Sequence, residues 1–121
     1  MTRRRVAVLV VIVPLFAAAA HIARAQAPRS YPDTQKLIID NMFVRVFDIR
    51  VAPGVSEAKH SHARGVTVAL TGYDNETRVD GATKWVTGHT EPGEVKWAKP
   101  VTHEARNVGS TEQHVIRIEL K

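Results

Sequence analysis

Pro53-Gly54-Val55-Ser56-Glu57-Ala58-Lys59-His60-Ser61-His62 is a tight turn that runs into two histidines with one residue between them. Successive side chains of an extended chain point to opposite faces, so His60 and His62 share a face one pleat apart. A strand carrying that pair offers two prongs of a metal site. His103 lies forty-one residues beyond His62, in a second histidine-bearing segment that also begins with a proline, Pro100. The expectation is a fold that brings His103 to the first two.

On either side, short apolar runs alternate with turn residues. Residues 36–39 and 42–51 read as strands, the second alternating Phe43, Arg45, Phe47 and Ile49 with Val44, Val46, Asp48 and Arg50. Both of its faces carry apolar residues, so it is expected to be largely buried. Residues 66–70 form a β-branched run that ends at Thr71-Gly72. Residues 77–79 and 84–87 flank Asp80-Gly81, a dipeptide that accepts positive φ and signals a hairpin. Residues 95–98 form a further strand between Glu91-Pro92-Gly93-Glu94 and Lys99-Pro100, and residues 103–108 and 114–120 read as a last pair around Gly109-Ser110. Sustained helical periodicity is absent after residue 25, and the turn spacing is that of a sandwich or barrel. The class is all-β.

The chain has 121 residues, 44% hydrophobic, with a formal charge of +5 and no cysteine. Residues 1–25 read as a secretory signal: Arg3, Arg4 and Arg5 precede an uncharged apolar run over 6–20, and Ala23-Arg24-Ala25 offers a cleavage site before Gln26. The run is shorter than the ~20 residues that a membrane span needs. Arg3-Arg4 also loosely matches a twin-arginine signal. Removing Arg3, Arg4, Arg5 and Arg24 leaves thirteen basic against 12 acidic side chains, a net charge of +1. The basic character therefore belongs mostly to the signal, and nucleic-acid binding loses its main support. An exported chain without cysteine has no disulfide to brace it, so a packed core, helped by pairing with a second copy, must stabilise it.

Gly54, five residues, His60-Ser61-His62 and then Gly72 resemble the first motif of the cupin superfamily. Gly93, Pro100, His103 and Asn107 resemble the second, with one extra residue between glycine and proline and Thr102 where a glycine is usual. The likeness covers residues 41–121 and is closest to small single-domain bacterial cupins, including the type associated with beta-alanine degradation. It implies a single jelly-roll β-barrel, the double-stranded β-helix, over 41–121, preceded by an arm and edge strand over 26–40. It also implies one divalent metal held by His60, His62 and His103. The glutamate that usually follows the second histidine by four or five positions is replaced by Val66 and Thr67, so no carboxylate ligand is expected from that motif.

Three imidazoles suit zinc, iron, nickel or copper, and the donor set does not distinguish these from manganese. Positions left to water or substrate are the mark of catalytic rather than structural metal sites. Other residues are expected to play lesser parts. His89 reads as an exposed loop residue and His114 as a surface or edge side chain, Glu104 points away from His103, and Glu57 reads as a solvated loop carboxylate or, folded inward, as a partner for an imidazole N–H. Trp85 and Trp97 are expected in strands as core or wall packing, and Tyr73 reads either as a phenol that could serve a metal site by donating a proton or holding an oxygen ligand, or as a hairpin-end aromatic. Asn107 is expected to fix a turn, and Thr67 to lend a hydroxyl to the cavity or simply favour a strand.

The resulting expectation is an exported, periplasmic or secreted homodimer that takes a small polar ligand or substrate, with no nucleic acid and no stable membrane association once the signal is gone. Enzyme and non-catalytic binding module stay open alternatives, as does a metal-free structural dimer.

Overall fold

The turn residues divide the described chain, residues 31–121 of a computed structural model, into nine strands with no intervening helix. The predicted signal, residues 1–25, lies outside the described residues. The strands are β1 (Gln35–Asp40), β2 (Val44–Val51), β3 (Ser56–His62), β4 (Gly65–Ala69), β5 (Tyr73–Val79), β6 (Val86–Thr90), β7 (Val95–Ala98), β8 (Val101–Asn107) and β9 (Gln113–Leu120). They form a five-stranded sheet, in the order β1-β2-β9-β4-β7, and a four-stranded sheet, β3-β8-β5-β6. Every pairing is antiparallel. From β2 to β5 and again from β6 to β9, each successive strand changes sheet.

Glycine makes this path possible at two kinds of place. Gly54 sits at φ 77°, a left-handed conformation that turns β2 into β3 and that other residues adopt only with strain. Gly65 opens β4 where the backbone of β9 comes so close that a Cβ would lie 1.8 Å from the Ile118 carbonyl oxygen. Asp80-Gly81 turns the β5–β6 hairpin as expected, with Gly81 at φ 80°.

Phe47, Ile49 and Val51 from β2 and Val115 from β9 form the buried apolar cluster, with Tyr31 and Tyr73 packed against it. The expected burial of β2 holds for its middle and end, whereas Met42 and Phe43 lie before the strand and are exposed. The last two strands are not partners. β8 pairs with β3 and β5, and β9 runs between β2 and β4 in the other sheet. Gly109-Ser110 is thus a crossing between sheets, and the inner faces of β8 and β9 look at one another across the interior.

On β9 the buried side chains are Val115, Arg117 and Glu119, while Ile116, Ile118 and Leu120 are only partly covered. A guanidinium and a carboxylate therefore take interior positions that apolar residues usually fill. They are tolerated there because Arg117 Nε donates to Glu119 Oε1 at 3.3 Å and Arg117 donates to the Ala63 carbonyl at 3.0 Å.

Candidate metal centre

β3 and β8 build the site between them. His60 stands directly across from His103 in the antiparallel ladder, and His62 follows one pleat later on the same face. The three ring centroids lie 4.8, 4.8 and 5.5 Å apart, and one ring nitrogen from each residue falls within 4.8 Å of the others. His60 and His62 are buried and His103 is half-buried. The three residues expected to meet do meet.

Hydrogen bonds to the far nitrogens settle which atoms face inward. His62 Nδ1 donates to Glu119 Oε1 at 2.8 Å, and His60 Nδ1 donates to the Ala58 carbonyl at 2.7 Å. Both partners are acceptors only, so each Nδ1 carries the proton and each Nε2 is left with a lone pair. Those two Nε2 atoms are 3.1 Å apart. The Nε2 of His103 is buried with no hydrogen-bond partner among the described residues.

Lone pairs facing one another at that distance repel unless a cation sits between them. With metal–nitrogen bonds of about 2.0–2.1 Å, neighbouring ligands on one ion are about 3.0–3.4 Å apart. The donor set and its spacing therefore fit a metal ion. A carboxylate behind one imidazole and a carbonyl behind another are the outer partners that orient metal-ligating histidines.

Electrostatics favour the same state. Burial pushes His62 below the ordinary histidine range against the opposing pull of its Glu119 hydrogen bond. Burial, with the neighbouring His60, His62 and Arg117, pushes His103 down to about 4. Both rings are neutral at neutral pH, as ligation requires. For Glu119, burial works upward, but the hydrogen bond from His62, the Ala63 backbone and Arg117 hold it below the ordinary carboxylate range.

Two spaces meet at His103. An inner cavity of about 130 Å³ is lined by the imidazoles of His62 and His103 and by Gln35, Tyr73, Asn75, Gln113 and Arg117. An outer recess of about 200 Å³ is lined by Lys59, Arg78, Asp80 and Glu104 together with His103. Glu104 points away from the site, as expected, and receives a hydrogen bond from Arg78.

Other expectations need correction. Glu57 is not a solvated loop residue: it is buried in β3 and accepts hydrogen bonds from Thr34 Oγ1 and from Gln35 Nε2, the latter at 3.1 Å. A β-bulge between Glu57 and His60 lets the side chain turn inward. Trp97 is in a strand as expected but is 60% exposed on the edge strand β7, so it is not wall packing. Trp85 precedes β6 and is stacked beneath the guanidiniums of Arg78 and Arg106, 4.9 and 4.4 Å from its ring centre.

His89 is in β6 rather than a loop, yet it is exposed and bonded to Asp74 and Glu91. His114 is half-buried and meets Asp48 at 2.8 Å. Asn107 does fix a turn: its amide nitrogen donates to the carbonyls of Val51 and Thr111, and its oxygen accepts from Gly109 N–H. Thr67 and Tyr73 both line the inner cavity.

Gln35, Arg117 and Glu119 were not singled out from the sequence. The one signal for the last two is charge in a strand whose neighbours on both faces are apolar. Nothing local marks Gln35, whose side chain reaches from β1 to the site across the gap between sheets.

No family model matches the sequence, and no curated protein matches it. Among solved structures, a cupin domain from Bordetella pertussis Tohama I is 27% identical, with a TM-score of 0.65 over 72% of this chain and 91% of that one. A double-stranded β-helix protein from Klebsiella pneumoniae is 20% identical, with a TM-score of 0.55 over 76% of this chain and 79% of that one. A cupin superfamily protein from Desulfitobacterium hafniense is 14% identical, with a TM-score of 0.50 over 77% and 83% of the two chains. The shared sheets, together with the motif histidines gathered on β3 and β8, make this chain a small member of the cupin superfamily.

Proposed function

We propose that this chain is an exported cupin, its two sheets closing as a jelly-roll β-barrel, that binds one divalent transition metal through His60, His62 and His103. Positions left on the ion take a small polar molecule seated in the inner cavity. The observation that carries the reading is the convergence of imidazole nitrogens whose tautomers are set from behind by Glu119 and Ala58. Zinc, iron, nickel, manganese and copper all suit the donors.

When bound, the metal supplies Lewis acidity toward an oxygen of the guest. The chain's own residues do the rest. Arg117, buried and charged, offers a guanidinium edge to the cavity, and Asn75 and Gln113 offer amides that orient a polar molecule. Tyr73 and Glu57 line the same cavity and are groups able to exchange a proton with the guest.

A binding module that holds its ligand without turnover is the second reading. It is favoured by the engagement of Glu57 with Thr34 and Gln35, which leaves Tyr73 as the more available proton donor. Replacing Tyr73 by Phe separates the two, since turnover depends on the hydroxyl and simple retention of the guest does not.

We also read the chain as a homodimer in the periplasm or outside the cell. Exposed Met42, Phe43 and Trp97 near the edges of the five-stranded sheet support pairing with a second copy. Light scattering tests that, with a concentration-independent monomer contradicting it. A mature N-terminus at Gln26 tests export. Metal analysis of protein purified without chelator tests the central reading: about one equivalent per chain is expected, and none, with no uptake of any of the five metals, overturns it.

A further inference from the structure

Gln35 is the first residue of β1, paired to Ile49 in the five-stranded sheet, yet its side chain crosses to the other sheet and ends at the histidines. Its amide nitrogen lies 3.1 Å from His60 Nε2 and 3.1 Å from Glu57 Oε1. The side chain is buried, and its carbonyl oxygen has no hydrogen-bond partner among the described residues. A buried acceptor left without a donor is a cost that most folds avoid.

Which end of an amide faces a neighbour follows from what that neighbour needs. A bare lone pair on His60 Nε2 needs a donor, and the NH2 group supplies one. Once a cation takes that lone pair, the same NH2 group points its positive end at a positive ion. Half a turn about the last side-chain bond exchanges the two ends and puts the carbonyl oxygen in that place. The turn gives up the hydrogen bond to Glu57, which keeps the one from Thr34. It also sets the carbonyl oxygen beside the Glu57 carboxylate and the NH2 group where the oxygen had no partner, a cost that the bond to the cation must offset.

The spacing suits the exchange. The amide atom next to His60 stands 3.1 Å from its Nε2, the same separation as between the Nε2 atoms of His60 and His62. Ligands on neighbouring positions of one ion, each about 2.0–2.2 Å from it, are about that far apart. We propose that the side-chain carbonyl oxygen of Gln35 is the fourth protein ligand of the metal, supplied by β1 and neutral where the resemblance leads one to look for a carboxylate. This rests on the three-histidine reading above and adds a ligand to it.

The test compares Zn²⁺ affinity, by competition with a chromophoric chelator, for the full mature protein and its Q35L, Q35E and H62A variants. Q35L is expected to bind at least about 10- to 100-fold more weakly, the loss typical even of an outer hydrogen-bond partner. Q35E restores an oxygen ligand and is expected to bind at least as tightly as the parent. A purely structural bond to Glu57 gives the opposite result, because Q35E then sets two carboxylates against each other with nothing gained. The Co²⁺ absorption bands are expected to differ among parent, Q35L and Q35E.

If H62A loses the metal while Q35L and the parent bind equally, or if Q35E is as weak as Q35L, Gln35 is not a ligand and the histidine site stands. If the parent itself takes up no metal, both fall together. Carbon-detected NMR of the unmutated chain decides the matter even if Q35L does not fold: the Gln35 side-chain carbonyl resonance moves on Zn²⁺ addition if it ligates, and a resonance that stays in place overturns the proposal.

Discussion

His62 and His89 are the same side chain put to opposite use. His62 is buried, shows one nitrogen to a carboxylate and turns the other toward two more imidazoles. His89 is exposed and hydrogen-bonded through both nitrogens, to Asp74 at 2.6 Å and to Glu91 at 3.0 Å. Two acceptors ask for two protons, and the hydrogen bonds that His89 donates to Asp74 and Glu91 raise it above the ordinary histidine range. One environment favours the neutral ring and the other the protonated ring. The difference teaches that a buried histidine with one nitrogen held by an acceptor can turn its other nitrogen toward a cation, whereas one held at both nitrogens cannot.

Metal affinity breaks or confirms that contrast most sharply. His62→Ala and His103→Ala each remove a donor from the cluster and are expected to weaken binding by more than about 100-fold, beyond what loss of an outer partner costs. His89→Ala is expected to leave affinity unchanged. Equal losses in a chelator competition would mean that the prongs are wrongly assigned.

Next in size is Glu119→Gln, which spares the ligands but removes the charge behind His62. Affinity is expected to fall about 10- to 100-fold. The same variant leaves Arg117 buried without its counter-charge, so the metal-free protein should also melt earlier in a calorimetric scan. An affinity equal to the parent's would show that Glu119 only fills space.

The two histidine environments also give opposite pH signatures in the metal-free protein. His103 is held at about 4 when folded and rises to about 6.5 when the chain unfolds, so the unfolded state binds more protons between those values. Its stabilising contribution is complete above pH 6.5 and is lost as pH falls toward 4. His89, raised when folded, contributes fully below about pH 6.5 and loses that contribution as pH climbs through its folded value. In urea unfolding across this range, His103→Gln should flatten the acid-side fall in stability, and His89→Gln should leave that fall intact. The reverse outcome would exchange their roles.

Backbone packing sets the smaller effects. Gly65→Ala forces a Cβ against the Ile118 carbonyl and displaces β9 at Glu119, the support of His62. A loss of about 1–3 kcal/mol of stability is expected, accompanied by weaker metal binding. Gly54→Ala strains only the turn, where a Cβ would meet nothing within 4 Å, and should cost about 1–2 kcal/mol without touching affinity once the protein is folded. Similar affinity losses in the two would dissociate Glu119 from the site.

The donors were legible because their geometry is local. His60 and His62 follow from the two-residue period of a strand, and the turn residues around them mark where that strand starts. His103 was legible only through its resemblance to a known motif, since nothing in a forty-one-residue separation says that β8 lies beside β3. Glu119 and Arg117 were not legible. The alternation in β9 defines two faces, with Val115, Arg117 and Glu119 on one and Ile116, Ile118 and Leu120 on the other. Apolar content alone assigns the second face to the core. The fold reverses that assignment because β9 is a central strand whose inner face must meet the imidazoles. Glu57 was misread as solvated for a related reason, since a bulge between it and His60 changes the local phase of β3.

The most direct measurement is the melting temperature of the metal-free mature protein before and after adding each of the five metals. A free metal concentration 100-fold above Kd adds about 2.7 kcal/mol of stability. For a domain of this size each kcal/mol raises Tm by about 4–8 °C. At least one metal is expected to raise the melting point of the parent by about 10 °C or more and to leave that of His62→Ala unmoved. A parent whose melting point answers to none of them, or a His62→Ala variant that answers equally, would contradict a three-histidine metal site.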